Sequence, residues 1–82
     1  MLAEGQRVRF KGTYMNFPND NIKAGALGTL VRVVMDQNPC RLEIKLDDHY
    51  PDLDDWDNIV WISWFPDFDQ TYLHAEQYLE AV

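Results

Sequence analysis

The sequence predicts an all-β domain, a small barrel of about five antiparallel strands, and three observations lead to this prediction. The 82 residues are enough for one modest core and too few for two, so residues 1–82 are expected to form a single domain. Polar and apolar side chains alternate with a period of two in several short segments. Gly, Pro, Asn and Asp separate those segments, as they do at the turns of small β-proteins.

The first two predicted strands flank a long loop. In GQRVRFKG, Val8 and Phe10 alternate with basic side chains, which predicts a strand near residues 6–11. The segment TYMNFPNDNIKAGA, residues 13–26, is rich in Asn, Asp, Pro and Gly and is predicted to be a loop. GTLVRVVMD is rich in β-branched residues, which favours a strand near residues 27–35.

A hairpin follows the second strand. Asp36–Pro39 supplies the turn, and CRLEIKLDD after it shows the most regular alternation in the chain. Apolar residues of this strand are predicted to face inward, and Arg41, Glu43 and Lys45 to face outward. The predicted core of the barrel is Val8, Phe10, Leu30, Val33, Leu42, Ile44 and Leu46.

The strand predicted near residues 58–64, DNIVWISWF, is apolar on both faces. Its alternating sets are Ile59, Trp61 and Ser63 on one face, and Val60, Ile62 and Trp64 on the other. A strand that is apolar on both faces needs a cover on both. At most one of Trp61 and Trp64 can point into the barrel. After a short turn near residues 74–77, YLEAV is predicted to be the closing strand.

The first half of the chain resembles the SH3-like barrels, a broad group that includes KOW and Tudor domains. The resemblance covers residues 5–46 and rests on strand residues and on Gly5, Val8, Phe10, Gly12, Gly25, Gly28, Leu30 and Val33. It implies a small closed barrel and says little about function. Gly25 and Gly28 are expected to have positive φ or a close backbone neighbour. The acidic, aromatic segment 47–72 departs from the pattern of the group.

Composition indicates the class of the protein and the compartment in which it is expected. Hydrophobic residues make up 46% and charged residues 26%, as in ordinary globular domains. No apolar run reaches the roughly 18 to 20 residues that cross a bilayer, and the first residues do not read as a signal peptide. The single cysteine, Cys40, cannot form an internal disulfide. We therefore expect a cytoplasmic protein that does not associate with membranes.

Charge is distributed unevenly along the chain. Residues 1–46 hold all seven basic side chains and four acidic ones, a net +3. Residues 47–82 hold ten acidic side chains and no Lys or Arg, a net −10, and the whole chain therefore carries −7. A net charge of this sign opposes direct binding to DNA or RNA, which needs cations against phosphates. We expect no direct nucleic-acid partner.

The segment DDHYPDLDDWDNIVWISWF, residues 47–65, has six aspartates in its first eleven positions and contains all three tryptophans of the chain. Tryptophan is enriched at the centres of protein interfaces, and acidic rims steer cationic partners. We therefore predict a surface that binds a protein partner with basic character, or a second copy as a homodimer. The predicted partner-binding residues are Trp56, Trp61, Trp64, Phe65, Tyr72, Asp52, Asp54, Asp55 and Asp57. The competing interpretation is that the aromatic residues fold back under the loop and enlarge the core.

Two other functions fit the same residues. The acidic side chains could imitate phosphates and inhibit a DNA-binding protein, as small phage or mobile-element inhibitors do. The residues in that interpretation are Asp47, Asp48, Asp52, Asp54, Asp55, Asp57, Asp67 and Asp69. Alternatively, an aromatic cage could hold a cationic side chain or small molecule. Its candidate walls are Trp56, Trp61, Trp64 and Tyr72.

Catalytic, metal and cofactor sites are not predicted. A calcium loop that began at Asp52 would place Asp57 where Gly is needed and Ser63 where Glu is needed. The histidines and Cys40 are too scattered for a zinc site. Type II dihydrofolate reductases are short SH3-like chains with a Val-Gln-Ile-Tyr motif, and Ile59–Ser63 lacks its Gln and Tyr. We expect a protein that is not an enzyme.

Overall fold

The computed structural model describes residues 2–16, 19–64 and 78–82 and shows an all-β fold, as predicted. Five strands form one antiparallel sheet, and two short strands form a separate hairpin. The strands are β1 (Arg7–Phe10), β2 (Tyr14–Asn16), β3 (Asn19–Ile22), β4 (Leu27–Val34), β5 (Cys40–Leu46), β6 (Ile59–Trp64) and β7 (Leu79–Ala81). The order in the large sheet is β6-β5-β4-β1-β7. A 3₁₀ turn, Pro51–Trp56, precedes β6.

Five of these strands were expected, and the hairpin was not. β1, β4, β5, β6 and β7 lie where the alternation and β-branched content placed them. The prediction of a continuous loop over residues 13–26 is wrong, because β2 and β3 pair there as an antiparallel hairpin. The strand sequences YMN and NDNI show no alternation of apolar and polar residues, and turn-forming residues dominate the segment. The turn predicted near residues 74–77 lies outside the described residues.

The sheet has two edges in the part of the chain that the structure describes, so the expected closed barrel is not observed there. β6 and β7 are the edge strands, and they do not pair with each other. β7 is held by β1 through three residue pairs, from Val8–Ala81 to Phe10–Leu79. No helix within the described ranges is long and apolar enough to span a membrane.

The core lies on one face of the sheet and matches the predicted one closely. Of the seven predicted core residues, six are buried, and Val33 is partly buried and packs against them. Ile22 from the hairpin, Leu53 from the 3₁₀ turn and Leu79 from β7 also join this core. The hairpin, the turn and the closing strand therefore each contribute an apolar residue to one core.

Two glycines and a β-bulge shape the central strand β4. Gly25 has a φ of +89°, and a Cβ on Gly28 would lie 2.6 Å from the carbonyl oxygen of Lys45. Both roles expected for these glycines, positive φ and close backbone approach, are confirmed. The register of β4 against β5 shifts between Leu30 and Arg32. This bulge sets two β4 residues opposite one residue of β5.

The hairpin contacts the edge strand β6 through Tyr14. The Tyr14 hydroxyl donates a hydrogen bond to the Trp61 carbonyl at 3.3 Å, and the Tyr14 ring packs edge-on against Tyr78 with centroids 4.7 Å apart. A side chain that donates to a backbone carbonyl of an edge strand occupies an acceptor with which another chain could otherwise pair. Burial, together with the charge of Tyr78, raises the pKa of Tyr14 to about 12.

Replacement of Ile44 tests the core. Ile44 is fully buried, so Ile44→Ala removes apolar contacts and leaves a cavity. We expect a loss of about 2 to 5 kcal/mol in the free energy of unfolding, measured by urea denaturation. Leu27→Ala is the matched control, because Leu27 lies on the adjacent strand and is 39% exposed. Equal destabilisation by the two variants would contradict the assignment of Ile44 to the core.

The raised pKa of Tyr14 predicts a loss of stability in alkaline solution. An unfolded tyrosine titrates near pH 10, and the folded one near about 12. The protonated phenol therefore contributes stability that is complete below pH 10 and is lost as the pH rises towards 12. The loss should be at most about 2 kcal/mol. Urea denaturation at pH 9 and pH 11.5 should show it in the unsubstituted protein and in Tyr50→Phe, but not in Tyr14→Phe. The same fall in all three would refute this role of Tyr14.

Candidate docking surface

The acidic segment begins as a 3₁₀ turn with one buried anchor. Pro51 stands at its start, where a missing amide donor costs nothing, and the backbone of Tyr50 before it is extended. The amide of Leu53 bonds the Tyr50 carbonyl at 2.8 Å, and the Leu53 side chain is only 1% exposed. This anchor leaves the neighbouring aspartates in solvent.

Two successive residues in the left-handed region end the turn. Asp57 and Asn58 have φ values of 56° and 59°, a conformation that Asn and Asp tolerate better than most residues. The Asn58 side chain then ties both ends of the segment together. Its Oδ1 accepts from the Tyr50 amide at 2.9 Å, and its Nδ2 donates to the carbonyls of Leu46 at 3.0 Å and Asp48 at 2.9 Å.

The turn brings Trp56 against Trp61 of β6. The two rings meet edge-to-face, with centroids 5.9 Å apart and an interplanar angle of 79°. Val60 and Ile62 point into the core, so Trp61 between them lies on the outer face of the sheet. Trp56 is 41% exposed and Trp61 is 36% exposed. These two tryptophans therefore form a surface and do not enlarge the core.

An arginine holds Trp61 in place. The Arg41 guanidinium lies 4.4 Å from the centroid of the Trp61 ring. Arg41 Nε donates to Glu43 Oε2 at 2.8 Å, and its Nη1 donates to Gln37 Oε1 at 3.2 Å. The side chains of Arg41 and Glu43 are 17% and 12% exposed. Removal of one partner from so buried a pair would leave the other charge unpaired, which is costly.

Four predicted rim carboxylates surround Trp56 along the chain and are exposed: Asp52, Asp54, Asp55 and Asp57. Asp54 contacts Nε2 of His49. We define the docking surface as Trp56 and Trp61 together with these four aspartates. The structure thus brings six of the nine predicted binding residues into one region. The other three cannot be assigned to it: the side chain of Trp64, and Phe65 and Tyr72, lie outside the described part of the protein.

Within the described part of the protein, three of the seven basic residues form ion pairs with carboxylates. Arg7 donates to both carboxylate oxygens of Asp47, with Nη1 2.7 Å from Oδ1, and this hydrogen bonding lowers the pKa of Asp47. Arg9 Nε donates to Glu80 at 2.7 Å. With the Arg41–Glu43 pair, these contacts neutralise the charges of Arg7, Arg9 and Arg41. Asp47 is therefore paired internally, while the phosphate-mimic hypothesis as a whole stays a prediction.

Sequence reasoning missed Arg41, Glu43 and Asn58 as residues that position the docking surface. Arg41 and Glu43 were interpreted as outward residues of a regular strand, which is correct. Their link to Trp61 depends on the register between β5 and β6, which pairs Glu43 with Trp61, and alternation within one strand does not reveal that register. An available signal was the Asp57-Asn58 pair directly before a strand, because these residue types favour left-handed turns.

Comparisons of the chain with known protein families, curated proteins and solved structures found no match. The resemblance to SH3-like barrels therefore stays a prediction, compatible with the observed sheet. Among the described residues, no group of three or more His, Cys, Asp or Glu side chains is placed to hold a metal ion.

Glycine substitutions at Asp57 and Asn58 test how the turn is held. Both positions have left-handed backbone, so Gly relieves φ equally at each. Only Asn58→Gly also removes three hydrogen bonds. We expect Asn58→Gly to lose about 1 to 3 kcal/mol of unfolding free energy, and Asp57→Gly to change by less than about 1 kcal/mol. Urea denaturation of both variants measures this difference. A larger loss at Asp57 than at Asn58 would disprove the clamp.

Proposed function

We propose that this protein is a protein-interaction module whose docking surface binds a cationic protein surface. One observation carries the proposal: two tryptophans in mutual contact remain 41% and 36% exposed beside four exposed aspartates. Exposed aromatic clusters with a charged rim are typical of interfaces. The aromatic centre supplies contact area, and the carboxylates select a partner of positive charge.

The rigidity of the surface supports this function. The Arg41 guanidinium, itself bonded to Glu43 and Gln37, lies over the ring of Trp61, and Trp56 packs edge-to-face against the same ring. Side chains that are ordered before binding lose little conformational entropy when a partner arrives. The Arg41–Trp61 contact also shows, within this chain, that a guanidinium packs on this indole with a carboxylate beside it.

A second candidate is an aromatic cage for a single quaternary cation. The observation that favours it is the 79° angle between Trp56 and Trp61, because cages hold cations between rings that stand at steep angles. In this chain, however, Arg41 already lies over the Trp61 ring. The open aromatic area therefore belongs mainly to Trp56, which favours an extended protein contact over a closed cage.

Binding to a model peptide tests the proposal. A ten-residue peptide with spaced arginines should bind, while the same peptide with citrulline in place of arginine should not, measured by fluorescence anisotropy. Trp56→Ala and Asp55→Asn/Asp57→Asn should each weaken binding about tenfold or more. Asp36→Asn, an exposed acid in the β4–β5 turn, is the matched charge control and should bind like the unsubstituted protein.

Three outcomes separate the candidates. Equal binding of the arginine and citrulline peptides, or equal effects of Asp36→Asn and the rim variants, would overturn the proposed docking surface. A peptide with one trimethyllysine that binds more tightly than the arginine peptide would favour the cage. Thermal melts of each variant confirm that the fold is intact before binding is compared.

A further inference from the structure

One cross-strand row on the outer face of the sheet has opposite chemistry at its two ends. Arg32 of β4 pairs with Glu43 of β5, and Glu43 pairs with Trp61 of β6. Directly paired residues project from the same face of a sheet. The row therefore runs from a cation on β4, through the buried Arg41–Glu43 pair, to the docking surface on β6.

The β4 end of the row is exposed, apolar and basic. The bulge sets Val31 and Arg32 opposite Glu43. Val31 is 40% exposed and Arg32 is also exposed. Among the described residues, no acidic side chain forms an ion pair with Arg32. This end thus offers an arginine beside an apolar side chain, which is the complement of a tryptophan beside carboxylates.

We propose that the cationic partner is a second copy of this chain, packed face to face on β4, β5 and β6. This inference rests on the proposed function of the docking surface. A two-fold axis parallel to β5 carries β4 of one copy over β6 of the other at the same height along the strand. Arg32 of each copy then lies on the docking surface of its partner. The contact is made twice and closes, as isologous dimers do.

Glu43, in the middle of the cross-strand row, does not oppose the face-to-face packing of two copies. Glu43 lies nearest the axis, where two like charges would meet, but each Glu43 is bonded to its own Arg41. The axis therefore crosses two internally neutralised pairs. The two copies each carry −7. At 0.15 M salt, exposed charges separated by more than about 8 Å are largely screened, so the local Arg32–aspartate pairs decide the contact.

Reciprocal charge reversal tests the dimer by sedimentation velocity at high micromolar concentration. The unsubstituted protein should sediment as a dimer. Arg32→Asp alone, and Asp55→Lys/Asp57→Lys alone, should sediment as monomers, because each places like charges at both contacts. An equimolar mixture of the two variants should restore a dimer, since every Arg or Lys then faces an Asp. Lys23→Asp, an exposed residue before β4, is the matched control and should stay dimeric.

The outcomes distinguish this inference from the proposed function. A monomer of the unsubstituted protein that still binds the arginine peptide overturns the dimer and leaves the docking surface in place, with a different protein as its partner. A dimer that survives Arg32→Asp, or a mixture that does not reassociate, overturns the face-to-face arrangement. A monomeric protein that binds the arginine and citrulline peptides equally overturns both the dimer and the docking surface.

Discussion

The hydrogen bonds of Asn58 fix the point at which the acidic turn ends and β6 begins. Because successive side chains of a strand point to opposite faces, a shift of one residue would move Trp61 inward and Val60 outward. Asn58 prevents that shift because its side chain bonds the carbonyl of Leu46 at the end of β5, the strand that β6 pairs with, and the carbonyl of Asp48 just after it. The exposed position of the docking surface thus depends on one amide side chain, whose left-handed backbone the sequence pair Asp57-Asn58 provides.

Ion pairs in the folded protein bring together basic and acidic residues that are far apart in the sequence. Along the chain, all seven basic residues lie in residues 1–46 and ten of the fourteen acidic residues lie in residues 47–82. In the fold, Arg7 and Arg9 of β1 pair with Asp47 and Glu80 from that second, acidic part. Such exposed pairs add little stability. Their effect is to remove basic charge from one part of the surface, so that the carboxylates around Trp56 stand out as an unbalanced cluster beside an aromatic centre.

The sequence allowed the fold class, the main strands and most of the core to be predicted, because period-two alternation reports directly which side chains share a face. Ile44 and Leu42 are examples that need no tertiary information. The β2–β3 hairpin and the Arg41–Trp61 contact could not be predicted in the same way. Turn-forming residues dominate the hairpin and its strands show no alternation, and the contact depends on register between strands that lie thirteen or more residues apart in sequence. Of the site, the sequence alone predicted the aromatic and acidic composition but not the contacts that hold it.

The edge-to-face geometry of Trp56 and Trp61 has an optical consequence. Two indoles with centroids 5.9 Å apart and planes at 79° have coupled electronic transitions, and such coupling gives paired bands of opposite sign in circular dichroism. The docking surface therefore has an intrinsic spectroscopic signal. Any event that separates the two rings, whether a partner inserted between them or a rearrangement of the turn, would be visible as the disappearance of that couplet while the signal of the sheet persists.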